Sequence, residues 1–290
     1  MKFAFARVKF HALLHCAGRK RLYGLNYSMK KCLFCPNPAN SLEHVLPQWL
    51  FRCIAPQSQG TFPVQVGRYV EGKGYQDRRN HISLSFKARI VCTRCNTGWM
   101  RQLESNVAHI FQPLAAEQFP VFAHDYFNKL KDYAPTIAFW LSKTALTTSF
   151  ALPGRQCLAE SLAPQIAQKQ APRGVWIDVA KAKVAGIGAA LTKMFPTING
   201  NVFTGVQTHT AGECFQFCLQ INHLLLRVGM SSGAEVGYVA PEGLMAFRLF
   251  PDADPQVPER CEFQDINHFL HSIVLRTWAG CPGEVPAFLK

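Results

Sequence analysis

The spacing of apolar residues divides the chain into two stretches of different texture. From Cys32 to about Asn106 there is little sustained period and much punctuation, as loops and short strands gathered around a fixed point would show. Residues 56–80 carry Gly60, Gly67, Gly72 and Gly74 among alternating Val64, Val66 and Tyr69, which predicts a hairpin. Residues 81–91 alternate Ile82, Leu84, Phe86, Ala88 and Ile90, as a half-buried strand does. Trp99, Leu103 and Val107 at four-residue steps predict a helix over 95–111.

Beyond Pro120 the elements lengthen. Ile137, Trp140, Leu141, Thr144, Ala145 and Thr148 predict an amphipathic or buried helix over 136–150, and a weaker one covers 157–170, broken near Pro164. Residues 175–184, 202–208, 215–228 and 236–250 are rich in Val, Ile and Phe at period two and predict strands; a last helix is expected over 263–278. No internal repeat or low-complexity tract interrupts this pattern. The expected fold class is α+β: a basic N-terminal extension at 1–28, a small module at 29–115 and a mixed α+β domain at 116–290.

Composition narrows the classes. A chain of 290 residues, 48% apolar, can bury a core without covalent staples. No stretch approaches the roughly 18 uninterrupted apolar residues of a membrane span. At the N-terminus Phe3, Phe5 and Leu13 are broken up by Lys2, Arg7 and Lys9, which is not the apolar core of a secretory signal. That segment reads as a disordered basic arm, or as an extension upstream of a working start at Met29. Eleven cysteines, an odd number, argue for a reducing, cytoplasmic compartment and against a disulfide framework.

The net charge of +13 is unevenly placed. Residues 1–104 hold 17 Lys and Arg against Glu43, Glu71, Asp77 and Glu104, whereas the rest of the chain holds 14 bases and 14 acids. A concentrated basic field attracts a polyanion, and nucleic acid, DNA first, is the partner expected. Lys87, Arg89, Arg94, Arg78 and Arg79 are its candidate contacts.

Four cysteines form two C-x2-C knuckles, Cys32/Cys35 and Cys92/Cys95. Two such turns present four thiolates as a tetrahedron, the closed arrangement of a structural Zn²⁺ site. Cys16, Cys53, Cys157, Cys214, Cys218, Cys261 and Cys281 form no such pair and read as small apolar residues. Between the knuckles lies Glu43-His44-Val45-Leu46-Pro47, and Asn96-Thr97-Gly98-Trp99-Met100 follows the second.

This order, C-x2-C, then E-H-V-x-P, then C-x2-C-N, resembles the HNH endonucleases of the ββα-metal (His-Me finger) group in their zinc-bearing variety. The resemblance covers about Cys32 to Glu104, a quarter of the chain. It implies a metal-dependent phosphodiester hydrolase with His44 as general base and a zinc staple separate from the catalytic ion. Glu43 and Asn96 would then be oxygen ligands of a catalytic Mg²⁺ or Mn²⁺. A neutral imidazole can take a proton from water, and oxygen ligands with open positions suit a hard cation. Trp99, Met100 and Leu103 read as helix core, and Glu104, about 12 Å along the helix from Asn96, as a partner of Arg101 or Lys87 or a solvated group rather than a ligand. The family pattern places an asparagine in the second strand to orient the histidine; here Lys87 stands near that place.

Two other readings use the same residues. A zinc-stapled module that binds nucleic acid without cutting it needs the basic surface but not Glu43, His44 or Asn96. A protein-interaction scaffold would make the neutral C-terminal part the working surface, through a partner or a homodimer. His81, among Arg78 and Arg79, is the one other histidine read as a substrate contact; His109, His124, His209, His223, His268 and His271 read as ordinary core or surface residues.

Overall fold

The computed structural model describes residues 8–13, 31–54, 63–70, 74–82, 87–115, 124–151, 157–193, 196–198, 201–202, 215–230, 234–238, 246–254, 261–270 and 272–277. The elements run β1 (Val8–Leu13), β2 (Ser41–His44), α1 (Gln48–Ile54), β3 (Pro63–Val70), β4 (Gly74–Ile82), β5 (Lys87–Val91) and α2 (Thr93–Cys95). After α2 a wide turn, Asn96–Met100, leads into α3 (Arg101–Ala115), α4 (His124–Lys131), α5 (Ala134–Ala151), α6 (Cys157–Ile166) and β6 (Val175–Lys193). Then follow β7 (Pro196–Ile198), β8 (Asn201–Val202), β9 (Phe215–Met230), β10 (Ala234–Tyr238), β11 (Phe247–Phe250), β12 (Glu262–Phe263), α7 (Ile266–Leu270) and β13 (Ile273–Thr277). The class is α+β, as the pattern predicts.

The long strands β6 and β9 pair antiparallel from Val175↔Met230 to Lys193↔Phe215 and form the spine of the largest sheet. The other edge of β6 takes β11, β12 and β1 in turn, and β1 continues the sheet to the β3–β4 hairpin. Residue parity on β9 reverses midway: Phe215, Phe217, Leu219 and Ile221 join the main core, and so do Leu224, Leu226, Val228 and Met230. The switch falls at Asn222, whose φ of 52° lies in the left-handed region. One residue in that conformation makes a bulge that re-aims the pleat. Both halves of β9 therefore face the same helical layer.

That layer is α3 and α5, packed on β6 and β9. Helix α5 is buried on every side, including Trp140, Leu141, Ser142, Lys143, Thr144, Thr147 and Ser149. Three of its hydroxyls turn back onto the helix, among them Thr144 Oγ1, which donates to the Trp140 carbonyl at 2.9 Å, and Ser149 Oγ, which donates to that of Leu146 at 2.7 Å, whereas Ser142 Oγ and Thr148 Oγ1 are buried without a partner among the described residues. Side chains that satisfy themselves this way let a helix sit inside a core. One apolar core runs from Cys32 and Phe34 through Phe111 and Trp140 to Phe247 and Leu249, so the two cysteine knuckles and the later helices share it.

The opposite face of β6 and β9 holds α7 and a buried ionic group. Asp178 and Arg227 are fully buried; Arg227 Nη2 donates to Asp178 Oδ2 at 2.8 Å and its Nη1 to the Phe269 carbonyl at 2.8 Å. Arg248 Nε donates to the other carboxylate oxygen of Asp178 at 2.6 Å.

Several expectations change. Val8–Leu13, within the expected basic arm, is a strand hydrogen-bonded between β3 and β6, where Val8, Phe10 and Ala12 alternate with Lys9 and His11. The expected 56–80 hairpin is present as β3 and β4, but it extends the large sheet through β1. The single strand expected over 81–91 is the end of β4 followed by β5. The last helix is only Ile266–Leu270; Ile273–Thr277, with its β-branched residues, pairs with β10 instead. Residues 203–208 of an expected strand, Met29, Cys16, Cys214, Cys281, His209 and His271 lie outside the described residues. Among the described residues no helix is long and apolar enough to cross a membrane.

Asp178→Ala removes the carboxylate that two guanidinium groups share, one of them fully buried. The loss of a buried partner costs roughly 3–5 kcal/mol. Urea unfolding of this variant is expected to show a large drop in midpoint, and a change within error would mean that the group contributes little.

Candidate functional site

The site is assembled by short-range capping at two tight turns. Cys32 N–H donates to the Asn37 carbonyl at 2.7 Å and Leu33 N–H to the Ile90 carbonyl at 3.0 Å, which sets the first knuckle against β5. At the second, Cys95 N–H points at Cys92 Sγ at 3.4 Å and Asn96 N–H donates to the Cys92 carbonyl at 3.0 Å. Asn40 Oδ1 accepts from Thr93 N–H at 2.9 Å and from Thr93 Oγ1 at 3.2 Å, so the start of α2 is held beside β2.

These turns bring Cys32, Cys35, Cys92 and Cys95 together, with all four sulfur atoms within 4.8 Å of one another. Cys35 Sγ lies 3.5 Å from Cys92 Sγ and 3.7 Å from Cys95 Sγ, far beyond a disulfide bond. Among the described residues this is the one group of three or more His, Cys, Asp or Glu side chains placed to hold a metal ion. Burial pushes the Cys95 thiol up to about 12 and raises Cys32. Burial also acts upward on Cys92, but hydrogen bonds from the Cys95 backbone and the neighbouring thiols bring it down to about 7. Cys92 therefore ionises before Cys32 and Cys95. Trp99 braces the knuckle, stacked on Phe139 of α5 at 5.5 Å and edge-on to Phe34 at 5.2 Å.

β2 pairs antiparallel with β5, setting Glu43 opposite Ala88 and His44 opposite Lys87. A register shift between Ser41 and Glu43 turns the strand. Glu43 is buried and His44 half-buried. His44 Nε2 lies 2.8 Å from the side-chain amide nitrogen of Gln48, the first residue of α1, whose side-chain oxygen accepts from Arg52 at 3.3 Å. Its other ring nitrogen, Nδ1, is buried and has no hydrogen-bond partner among the described residues. Burial lowers the His44 pKa to about 4, helped by the charge of Lys87 and opposed by that of Glu104. The imidazole is therefore neutral at physiological pH. Gln48 thus holds the His44 ring through Nε2; its only sequence signal is its position four residues after His44.

Glu43 meets a residue outside the motif. Lys143 Nζ donates to Glu43 Oε1 at 2.6 Å and to Glu104 Oε1 at 2.6 Å, with the lysine side chain 1% exposed. Burial disfavours the ammonium, but the charges of Glu104 and Glu43 outweigh it and hold Lys143 above the ordinary lysine range. Burial raises the Glu43 carboxyl, opposed by the Lys143 charge. Glu104, expected beside Arg101 or Lys87 or in solvent, instead shares the ammonium with Glu43.

Asn96 donates through Nδ2 to Ser41 Oγ at 2.8 Å and to the Leu42 carbonyl at 3.3 Å, bracing β2 against the second knuckle. Of the two residues expected to ligate a hard cation, Glu43 is engaged with an ammonium, and Asn96 is held to β2 through its amide nitrogen rather than through the oxygen that would ligate. Mg²⁺ or Mn²⁺ needs open carboxylate oxygens and room for waters, and this arrangement does not offer them at Glu43. Arg89 and Arg94 are exposed and Lys87 half-buried beside His44; Arg78 and Arg79 lie in β4, with side chains outside the described set. His109 packs edge-on to Tyr133, and His223 Nδ1 bonds the Ala182 carbonyl, as ordinary structural histidines do.

The His44 environment has a pH signature. As pH falls from the ordinary 6.5 towards about 4, the unfolded chain takes up a proton that folded His44 refuses. Stability that His44 contributes above pH 6.5 is progressively lost across that window. Side-chain ¹⁵N resonances of His44 are expected to report a neutral ring at pH 5.5; a half-protonated ring near pH 6.5 would contradict this environment.

Compared with protein-family models, with curated proteins and with solved structures, the chain matches none.

Proposed function

We propose that this chain is a phosphodiester hydrolase of the HNH type acting on nucleic acid, DNA first, in which zinc is structural and His44 is the general base. The observation that carries the reading is His44 itself, a neutral imidazole held through Nε2 by Gln48 and with Nδ1 unpartnered. A base needs one ring nitrogen anchored and the other free to accept a proton. For Nδ1 to accept, Nε2 must carry the hydrogen. Gln48 then presents its amide oxygen to His44, an exchange of the two amide ends that gives up the hydrogen bond from Arg52.

Zinc is supported by the sulfur spacing. A regular tetrahedron with Zn–S of about 2.3 Å puts sulfur atoms about 3.8 Å apart, close to the 3.5 Å and 3.7 Å that separate Cys35 Sγ from those of Cys92 and Cys95. Four thiols this close cannot all ionise without a cation between them. Zinc there joins β2 and β5 to the start of α3 and fixes the strand that carries His44. The phosphoryl charge falls to the basic residues; Lys87 stands across the strand pair from His44, with Arg89 and Arg94 exposed nearby in sequence. No step is assigned to a divalent ion at Glu43.

A second reading, binding without hydrolysis, is favoured by one observation. The Glu43 carboxylate is already committed to Lys143. Both readings share the zinc staple and the basic surface, and they part at His44.

Metal analysis of the purified protein is expected to find about one Zn²⁺ per chain, and Cys35→Ser or Cys95→Ser to lose the metal together with soluble yield, because binding and folding are coupled. A folded preparation without zinc would remove the staple. With supercoiled plasmid as substrate, His44→Ala is expected to cut roughly 10²–10⁴-fold more slowly than the wild type while retaining its zinc and DNA affinity. Equal cutting by both would sink the base assignment. Salt-sensitive binding with no cutting, with or without Mg²⁺ or Mn²⁺, would establish the binding-only reading.

A further inference from the structure

We infer that Lys143 is the resident cation of this site: its ammonium, held between the carboxylates of Glu43 and Glu104, takes the place of a dissociable divalent ion. The inference rests on the reading of Glu43 and His44 as the working end of β2, and its test is independent of cleavage.

Lys143 comes from α5, 100 residues from Glu43 and 39 from Glu104 in sequence. It is the only charged residue in the 18-residue helix Ala134–Ala151, and it sits where every neighbouring position of that helix is buried. A full charge in such a place is tolerated only when opposite charges meet it directly. Here two do. Both carboxylate oxygens reach one nitrogen at 2.6 Å, so they lie within about 5 Å of each other. Two carboxylates that close, one of them buried, need a cation between them.

A bound Mg²⁺ or Mn²⁺ sits about 2.0–2.2 Å from its carboxylate oxygens, so it would claim the same point that the ammonium holds. The two cations exclude one another by volume and by charge. The ammonium has the advantage of being covalently attached, with no translational freedom left to lose. Displaced, it would remain a charge buried in the protein and parted from both carboxylates. Its charge also reaches His44, where it acts with Lys87 and Arg52 to favour the neutral ring. Lys143 is thus a positioning residue: it fixes Glu43 and Glu104 and sets the charge beside the imidazole without touching substrate.

Mn²⁺ binding to the zinc-loaded protein, followed by electron paramagnetic resonance, tests the assignment. The wild type is expected to show no site that Glu43→Gln or Glu104→Gln removes. Lys143→Ala vacates the space and leaves both carboxylates, so it is expected to gain about one Mn²⁺ per chain, lost again in Lys143→Ala/Glu104→Gln. A wild-type Mn²⁺ site that Glu43→Gln abolishes would overturn the proposal, as would a folded Lys143→Ala that binds none. Should Lys143→Ala not fold, the ¹⁵N signal of the Lys143 ammonium in the wild type decides. It is expected to be slowly exchanging and unmoved by millimolar Mg²⁺, and displacement by Mg²⁺ would refute the assignment. A wild type that never cuts, with these metal results as expected, removes the hydrolase reading alone. Cutting that requires Mg²⁺ and is lost in Glu43→Gln removes the Lys143 assignment alone.

Discussion

Everything at the candidate site depends on the meeting of two cysteine knuckles 57 to 60 residues apart in sequence. The chain between them contributes a helix and a hairpin that belongs to another sheet, so local order cannot bring the knuckles together. Four sulfur atoms within reach of one ion supply a junction that backbone hydrogen bonds alone would leave weak, since β2 and β5 are only four and five residues long. A two-stranded ribbon of that size is marginal in water by itself. Once the knuckles are joined, Asn40, Asn96 and Trp99 become fixed braces between strand, turn and helix.

The ionic arrangements on the two faces of the large sheet follow one rule with different geometry. Behind the sheet a carboxylate, Asp178, is shared by two guanidinium groups. In front of it an ammonium, Lys143, is shared by two carboxylates. Each buried charge is met by more than one partner, as desolvation demands. The front group differs in that it touches the motif strand, so its charge bears on His44.

How much of this could be read beforehand depends on range. The α5 helix, the β3–β4 hairpin, the two knuckles and the Met100–Leu103–Val107 face were legible because each is a local pattern of spacing. The strand Val8–Leu13 was obscured by Lys2, Arg7 and Lys9, whose charge suggested an arm although the apolar residues alternate correctly. The C-terminal helix was overextended because a short apolar run suits either state. Glu104 was set aside on its distance from Asn96 along one helix. Its actual partner stands on a different helix, and no local pattern marks that meeting. Lys143 was hidden for the same reason, a lone charge in an apolar run. Gln48 carried no signal beyond its offset from His44.

The reversal of parity at Asn222 has a consequence for how this chain tolerates change in length. Because that one residue corrects the phase of the pleat, the two halves of β9 are apolar on odd numbers before it and on even numbers after it. Removing one of Asn222 and His223 would leave Ile221 and Leu224 two positions apart, so a strand without the bulge would still set both halves against the helical layer. Removing both would make Ile221 and Leu224 neighbours, turn Leu224, Leu226, Val228 and Met230 towards the side that houses Asp178 and bring Arg227 round into the apolar layer. At this point of the strand the deletion that keeps the pattern is therefore a single residue.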